Sequence, residues 1–411
     1  MQDKHRLEEK DMELLRTLAK QVAEYAASPL EEQKKKRWKA HNDLKSDEPM
    51  VFIDPENGWN EIIPRDTLEC TSDLAREWER LLKIYLFHAE HLKDDFVIPD
   101  YFRVGLQVTN DGWGLPIEKI GGQNGGAYHI KPAIEDYDEA FEKLHYPHYT
   151  VDQEASDAIL ETAHEAFDGI LRVERAASWW WSLGLTWNYI DLRGLENFLC
   201  DFIIEPENVH RMMNFLCEGT LHFLDWLEQN GYLFGNNGNT YVGSGGFGFT
   251  DDLPVKGMGC TAKDMWGFVE SQETSSVSGE MYGEFIFPYH KRILERFGLG
   301  CYGCCEAFEN RWKYVSQFSN LRRVSCSPWC VRAKAQELLG NRYIASHKLS
   351  PTPLASHEMD EEEVRRNLRD VMDHSQGTFP ELIMKDNHTL GNQPNNAVRW
   401  VELAREEIAN T

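Results

Sequence analysis

The stretch Gly298-Leu299-Gly300-Cys301-Tyr302-Gly303-Cys304-Cys305-Glu306 runs from an apolar segment directly into two thiols and a carboxylate. A short apolar run bounded by glycines reads as a strand buried on both faces. Apolar runs of the same kind lie at about 265–269, 321–326, 342–346 and 381–385. Each ends on reactive side chains: Glu270-Ser271-Gln272-Glu273, Cys326, His347-Lys348, and Asp386-Asn387-His388. Helical patterns fill the intervals near 279–297, 309–319, 329–339, 360–373 and 395–409. Gly298 and Gly340 stand where helix C-caps belong, and Asp360 with Glu363 makes an N-terminal capping pair. Short apolar strands alternating with helices indicate parallel βαβ units. No Gly-x-Gly-x-x-Gly follows a first strand, which disfavours a dinucleotide-binding doubly wound sheet. The expected fold is therefore α/β, a (β/α)8 TIM barrel, in which strand ends of one polarity meet on one face and carry the active site.

Outward from this core, Pro206 opens a helix whose Val209, Met212, Met213, Leu216, Phe223, Leu224 and Leu227 keep a 3.6-residue period. Residues 1–45 read as charged helix, with Leu14, Leu15, Leu18 and Val22 apolar and the run Glu31–Arg37 as a solvated face. Val51-Phe52-Ile53 reads as a short strand and Leu74–Leu92 as an amphipathic helix. The expected organisation is a helical N-terminal extension (1–80) followed by the barrel (81–411). The extension either caps the main body or makes a homodimer. Residues 93–150 lack periodicity. Within them, Gly121-Gly122-Gln123-Asn124-Gly125-Gly126 reads as an irregular lid or substrate loop, because no Gly-Lys-Ser/Thr follows.

The formal charge of −25 over 411 residues disfavours nucleic acid or an anionic membrane as partner, since both require basic surface. There is no 18-residue apolar run, and the polar start Met1-Gln2-Asp3-Lys4-His5 lacks a signal-peptide core. Five of the nine cysteines fall between 301 and 330. Such clustering without a secretion signal suggests a reducing cytoplasm and metal or catalytic use, not a disulfide framework.

Candidate chemistry gathers at the strand ends. Tetrahedral zinc with an open position needs three ligands from Cys, His or carboxylate, and Glu273, Cys304 or Cys305, and His347 would supply them from three strands. Neighbouring strand residues face opposite ways, so both thiols enter one site only if the chain turns there. In regular strand geometry only one could enter, and the plain alternative is that one or both are small buried apolar groups. Cys326 ranks behind them, and Cys330 reads as structural. Glu270 and Glu273 either bind metal and exchange protons or cap the next helix. Lys348 is a candidate for an anionic or phenolate oxygen, and Asp386 could orient His388. His88, His91, His145 and His148 have no comparable context. The run Trp179-Trp180-Trp181, with Trp187-Asn188-Tyr189, cannot present every ring to one face, so some rings line a pocket, an interface or the core rim. A planar aromatic ligand suits such walls.

At these residues the chain resembles the uroporphyrinogen decarboxylase-like superfamily, in particular its corrinoid-dependent methyltransferase branch. The resemblance covers about 160–411 and rests on Glu270-Ser271-Gln272-Glu273-Thr274, Tyr302-Gly303-Cys304-Cys305-Glu306, Val324-Ser325-Cys326-Ser327-Pro328-Trp329, His347-Lys348 with Pro351, and Lys385-Asp386-Asn387-His388-Thr389. It implies a barrel, a zinc ion and a methyl group exchanged with the cobalt of a corrinoid (cobalamin-type) cofactor on a separate protein. Tyr302 stands where thiol-specific members carry the histidine of a His-x-Cys pair, so His347 or Glu273 enters the ligand set. The implied activity is O-demethylation of a methoxylated aromatic substrate. Glu270, Tyr302, Lys348 and His388 are the candidate catalytic groups, and Trp187, Glu306, Cys326 and Asp386 would contact substrate. A metal-free decarboxylase of a tetrapyrrole or other acidic substrate is the first alternative. A non-catalytic corrinoid- or tetrapyrrole-binding protein is the second.

Overall fold

The structure, a computed structural model, describes residues 7–122 and 128–410. Residues 1–6 of the N-terminal helical reading and 123–126 of the glycine-rich loop lie outside them. The chain forms two compact units that interleave in sequence: 1–107 with 151–177 and 348–411, and 108–150 with 178–347.

In the first unit, helix Glu9–Ala26 buries Leu15, Ala19, Val22 and Ala26 against helix Asp73–Phe87. Between them, the buried Asp11 carboxylate accepts hydrogen bonds from the Thr71 amide (3.0 Å), the Thr71 hydroxyl (2.8 Å) and the Ser72 amide (3.2 Å). A second helix, Pro29–Asn42, starts at the Ser28 cap with proline in its first turn. Its charged run is not wholly solvated, as the sequence suggested. Glu31 and Lys34 are buried, 3.0 Å apart, and satisfy the Ile98 amide and the Phe96 carbonyl respectively. One turn of spacing puts these two on the inner face, where backbone groups need partners. Strand Met50–Ile53 pairs in parallel with Phe379–Met384, Met50 opposite Glu381. Helices Glu361–Asp373 and Asn395–Ala409 pack together, and Asp360 caps the first by accepting from the Glu363 amide at 3.0 Å, as expected.

The second unit is built on four parallel strands in the order Trp266–Val269, Leu299–Tyr302, Leu321–Cys326, Ile344–Leu349. Every residue of the first two is buried, as continuous apolar runs require. Helix Pro206–Gln229 lays the expected face, Val209 to Leu227, into the unit's core. The helical stretch anticipated at 279–297 is two helices, Gly279–Phe285 and Phe287–Leu294, with Pro288 in the first turn of the second. Gly340 follows helix Arg332–Leu339 at φ +51, as a C-cap should. Gly298 has another purpose: a Cβ there would lie 2.3 Å from the Lys263 carbonyl, so it permits a close backbone approach.

The architecture is thus α/β with parallel strands, but among the described residues the paired strands do not close into a single ring of eight. The first half of the chain departs from the expected alternation. It holds a parallel pair, Tyr101–Val104 with Arg172–Arg175, and an antiparallel pair, Glu118–Gly121 with Tyr128–Lys131. No helix among the described residues is long and apolar enough to cross a membrane.

Candidate functional site: a buried acid pair under tryptophan walls

Strand Trp266–Val269 delivers Glu270 and Glu273 to its C-terminal end within the second unit. The segment before helix Leu185–Arg193 runs alongside, held by the Leu183 amide donating to the Phe268 carbonyl at 2.9 Å. Ser182 donates its hydroxyl to Glu270 Oε1 at 3.0 Å, and the Gln272 amide donates to Oε2 at 3.0 Å. Gly184 makes this approach possible, because a Cβ there would sit 2.3 Å from the Glu270 carbonyl and 2.6 Å from its Oε1. Burial holds the Glu270 carboxyl well above the usual carboxylate range, reinforced by the charges of Glu273, Glu306 and Cys304. Glu273 is also raised, by burial first, although its Oε2 accepts from the Thr186 hydroxyl at 2.6 Å. Its Oε1 is buried without a hydrogen-bond partner.

A cavity of about 390 Å³ opens over Glu270, walled by Trp181 and Trp187 and bordered by Ser182, Gly184, Asn188 and Gln272. A second, of about 250 Å³, shares Ser182 and Asn188 and is lined by Trp113, Tyr149, Trp179, Trp180 and Phe223. The tryptophan run therefore divides, with Trp179 and Trp180 facing one cavity and Trp181 the other.

Glu306 stands behind the acid pair with both oxygens committed. Oε1 accepts from the Ser271 amide at 2.8 Å and Oε2 from the Cys304 amide at 2.9 Å, joining two neighbouring strand ends. The fully buried Arg311 guanidinium lies 3.9 Å from Glu306 and donates to the Ser271 hydroxyl at 2.9 Å and to the Thr274 carbonyl. It also reaches the Tyr302 hydroxyl at 3.4 Å. Tyr302 belongs to the apolar core, and burial pushes its phenol up to about 12. Its environment is that of a core tyrosine anchored by arginine.

After Tyr302 the chain turns at Gly303, φ +88, and both thiols come together with Sγ atoms 3.7 Å apart. The turn answers the question left by strand alternation. The Ser244 hydroxyl donates to Cys304 Sγ at 3.2 Å. Cys326 lies opposite His347 in the strand register and pairs with Cys330, whose thiol is pushed up chiefly by that hydrogen bond. Arg332 donates to His347 Nδ1 at 3.1 Å and to the Cys326 carbonyl at 3.2 Å. An arginine can only donate, so Nδ1 accepts and the ring proton sits on Nε2.

Among the described residues, the one group whose ligand atoms from three side chains lie within 4.8 Å of one another is Asp111, His145 and His148. Glu273, Cys304, Cys305 and His347 form no such group. Their donor atoms are turned instead to Thr186, Ser244 and Arg332. The zinc set read from the sequence does not fit this geometry. Sequence reasoning passed over His145 and His148 because nothing near them in sequence supplies the third group. The signal was the spacing His-x-x-His with Asp111 far upstream.

The remaining candidates lie in the first unit. Lys348 is buried near the end of its strand. Asp386, at φ +61, pairs with Lys385 at 3.3 Å, and His388 is exposed. The carboxylate is thus engaged by its neighbouring lysine and not by the imidazole.

No family model and no curated protein matches this sequence. Comparison of folds finds a solved methyltransferase from Methanosarcina mazei, at a TM-score of 0.50 and 11% identity, over 92% of this chain and 99% of that one. At such identity the likeness is one of fold.

Proposed function

We propose that this chain is the methyl-donor-specific component of an O-demethylase system, moving a methyl group from a methoxylated aromatic substrate to the cobalt of a corrinoid held by a separate protein. The observation that carries the reading is Glu270, a carboxyl whose proton affinity burial raises well above the usual range, bordering a cavity walled by Trp181 and Trp187. The fold likeness to a methyltransferase and the ordered series of strand-end motifs support it. The same motifs support the finer frame, a decarboxylase-like (β/α)8 barrel, and the clustered cysteines support work in a reducing cytoplasm.

An ether oxygen leaves poorly because the departing group must carry negative charge. A proton donor within hydrogen-bond reach removes that obstacle. A substrate ring between Trp181 and Trp187 would bring its methoxy oxygen over Glu270, with Asn188 and Gln272 able to orient polar substituents. When bound on the partner protein, a reduced corrinoid would supply the electron pair for the methyl group. As the methyl–oxygen bond breaks, the Glu270 proton passes to the oxygen and the product leaves as a phenol. Glu273, a raised acid with a buried unpartnered oxygen, can relay a proton back to Glu270 from solvent. The decarboxylase alternative needs cations around an acidic substrate. The polar groups bordering this cavity are Ser182, Asn188, Gln272 and Glu270.

The test is spectroscopic. Reduced corrinoid protein and a panel of methoxyarenes are mixed with the chain, and methylation of cobalt is followed by absorbance. Turnover with at least one donor is expected, and Glu270→Gln should lower it by about 10²–10⁴-fold, the usual worth of a positioned acid. Absence of methylation with every donor, or full activity of the glutamine variant, would overturn the reading.

A further inference from the structure

Asp111, His145 and His148 lie outside the acid-pair site, in the stretch that sequence reasoning treated as an irregular loop. Their grouping is built by the backbone. The His145 amide donates to the Trp113 carbonyl at 3.2 Å, and the His148 amide donates to Asp111 Oδ1 at 2.8 Å. Gly114 allows the two segments to close. At φ +91 it adopts a conformation side chains disfavour, and a Cβ there would meet the Lys143 carbonyl at 2.4 Å and the His145 ring at 2.8 Å. Pro147, between the histidines, restricts its own φ and the residue before it.

The side chains are oriented as ligands. His145 Nδ1 lies 3.0 Å from the Tyr146 carbonyl, which can only accept, so Nδ1 carries the proton and Nε2 presents a bare lone pair. A backbone carbonyl fixing the tautomer in this way is the usual outer support of a metal-binding imidazole. A carboxylate can only accept, so His148 Nδ1 donates to Asp111 Oδ2 at 3.0 Å, and an ion held by both would take the place of that proton. The two imidazole centroids are 5.4 Å apart. Asp111 and His148 are exposed, so an ion can enter and keep water in its remaining positions.

We propose that Asp111, His145 and His148 bind one divalent cation of the zinc class, with two nitrogens and one carboxylate oxygen as ligands and an open position facing solvent. The donor set is that of borderline transition metals and not of calcium or magnesium, which favour oxygen alone. The site adjoins the second tryptophan cavity, because Trp113 and Pro147, inside the two ligand-bearing segments, line it. Trp113 also donates to Asn188 at 3.3 Å, and Asn188 borders both cavities. A bound ion would lock the 111–114 and 143–148 segments together and so fix the cavity wall. This site is independent of the methyl-transfer reading, and its test measures no turnover.

Chelator-treated protein is titrated with Zn²⁺ against a chromophoric chelator, and with Co²⁺ as a spectroscopic probe. The expected result is one equivalent bound, with a cobalt spectrum lacking thiolate charge transfer. His148→Ala and Asp111→Asn should each weaken binding by at least the roughly 10–100-fold that loss of even an outer partner costs. Circular dichroism of the variants should match the parent, because both residues are exposed. A second pair of variants, Cys304→Ala and Cys305→Ala, should leave this equivalent intact. No bound cation, unchanged affinity in the Asp111 and His148 variants, or an equivalent lost only with the cysteines would each overturn the proposal.

Discussion

Replacing Gly184 with alanine tests the geometry of the acid-pair site without assuming a substrate. Gly184 has φ −65 and ψ 124, a conformation any residue adopts, and it caps helix Leu185–Arg193. From backbone entropy alone the change would stabilise by about 0.4–1 kcal/mol through the unfolded state. The structure predicts the opposite sign. The new methyl would lie 2.3 Å from the Glu270 carbonyl and 2.6 Å from its Oε1, where ordinary contact begins near 3.4 Å. The 182–184 segment must retreat by roughly an ångström, against the Leu183–Phe268 and Ser182–Glu270 hydrogen bonds. Overpacking of this kind costs about 1–3 kcal/mol, and a weakened hydrogen bond adds ~1 kcal/mol. The net expectation is a loss of roughly 1–3 kcal/mol once the entropic gain is offset. Urea denaturation followed by tryptophan fluorescence measures it, with Gly105→Ala as control, since no atom lies within 4 Å of a Cβ there. The control should be neutral or slightly stabilised. A Gly184→Ala protein as stable as the parent would refute the claim that glycine is required for the approach to Glu270.

Glu306→Gln keeps the shape but turns an amide donor toward one of two backbone donors and leaves Arg311 facing a neutral group. Because breaking a buried ion pair costs ~3–5 kcal/mol, a drop near the lower figure is expected in denaturant midpoint. Asp11→Ala strands the Thr71 and Ser72 donors under helix Glu9–Ala26 and should cost about 2–4 kcal/mol by the same measurement. The pH dependence follows from Glu270 and Glu273, whose folded-state proton affinities are raised from 4.5. Over the interval above 4.5 the folded chain holds protons that the unfolded chain releases, so their contribution to stability is full below it and declines as pH rises through the folded values. Stability curves of the parent and Glu270→Gln should therefore diverge with rising pH, the variant losing less. Parallel curves would show that Glu270 ionises normally.

The second half of the chain was legible because both of its signals are local. Apolar runs such as Leu321–Cys326 are strands whose register needs only neighbouring strands, and caps such as Asp360 act within one turn. The first half was less so. Its periodicity is weak, and what orders it is a set of distant polar contacts: Asp11 with Thr71, Glu31 with Ile98, Asp111 with His148. No window of sequence joins such partners. The positions of the candidates Glu270, Glu273 and Cys304 were legible because a strand end fixes them. Their roles were harder to read, because a role depends on which atoms are already hydrogen-bonded. Glu306 looked like a substrate contact from its place beside two thiols, yet both of its oxygens are occupied by backbone amides. His347 looked like a ligand, yet an arginine from the preceding helix occupies Nδ1.

The three glutamates show how hydrogen-bond supply divides labour among identical side chains. Glu306 takes two amide hydrogen bonds and a guanidinium at 3.9 Å, which is the environment of a structural carboxylate. Glu270 receives one amide and one hydroxyl, and Glu273 a single hydroxyl with its other oxygen bare. Burial is the largest cause of the raised proton affinity of Glu270, and its single amide hydrogen bond offsets only part of that desolvation. The negative field of Glu306 then raises Glu270 further. The structural carboxylate therefore does more than join two strand ends. It also raises the proton affinity of neighbouring Glu270, the donor that the proposed methyl transfer calls for.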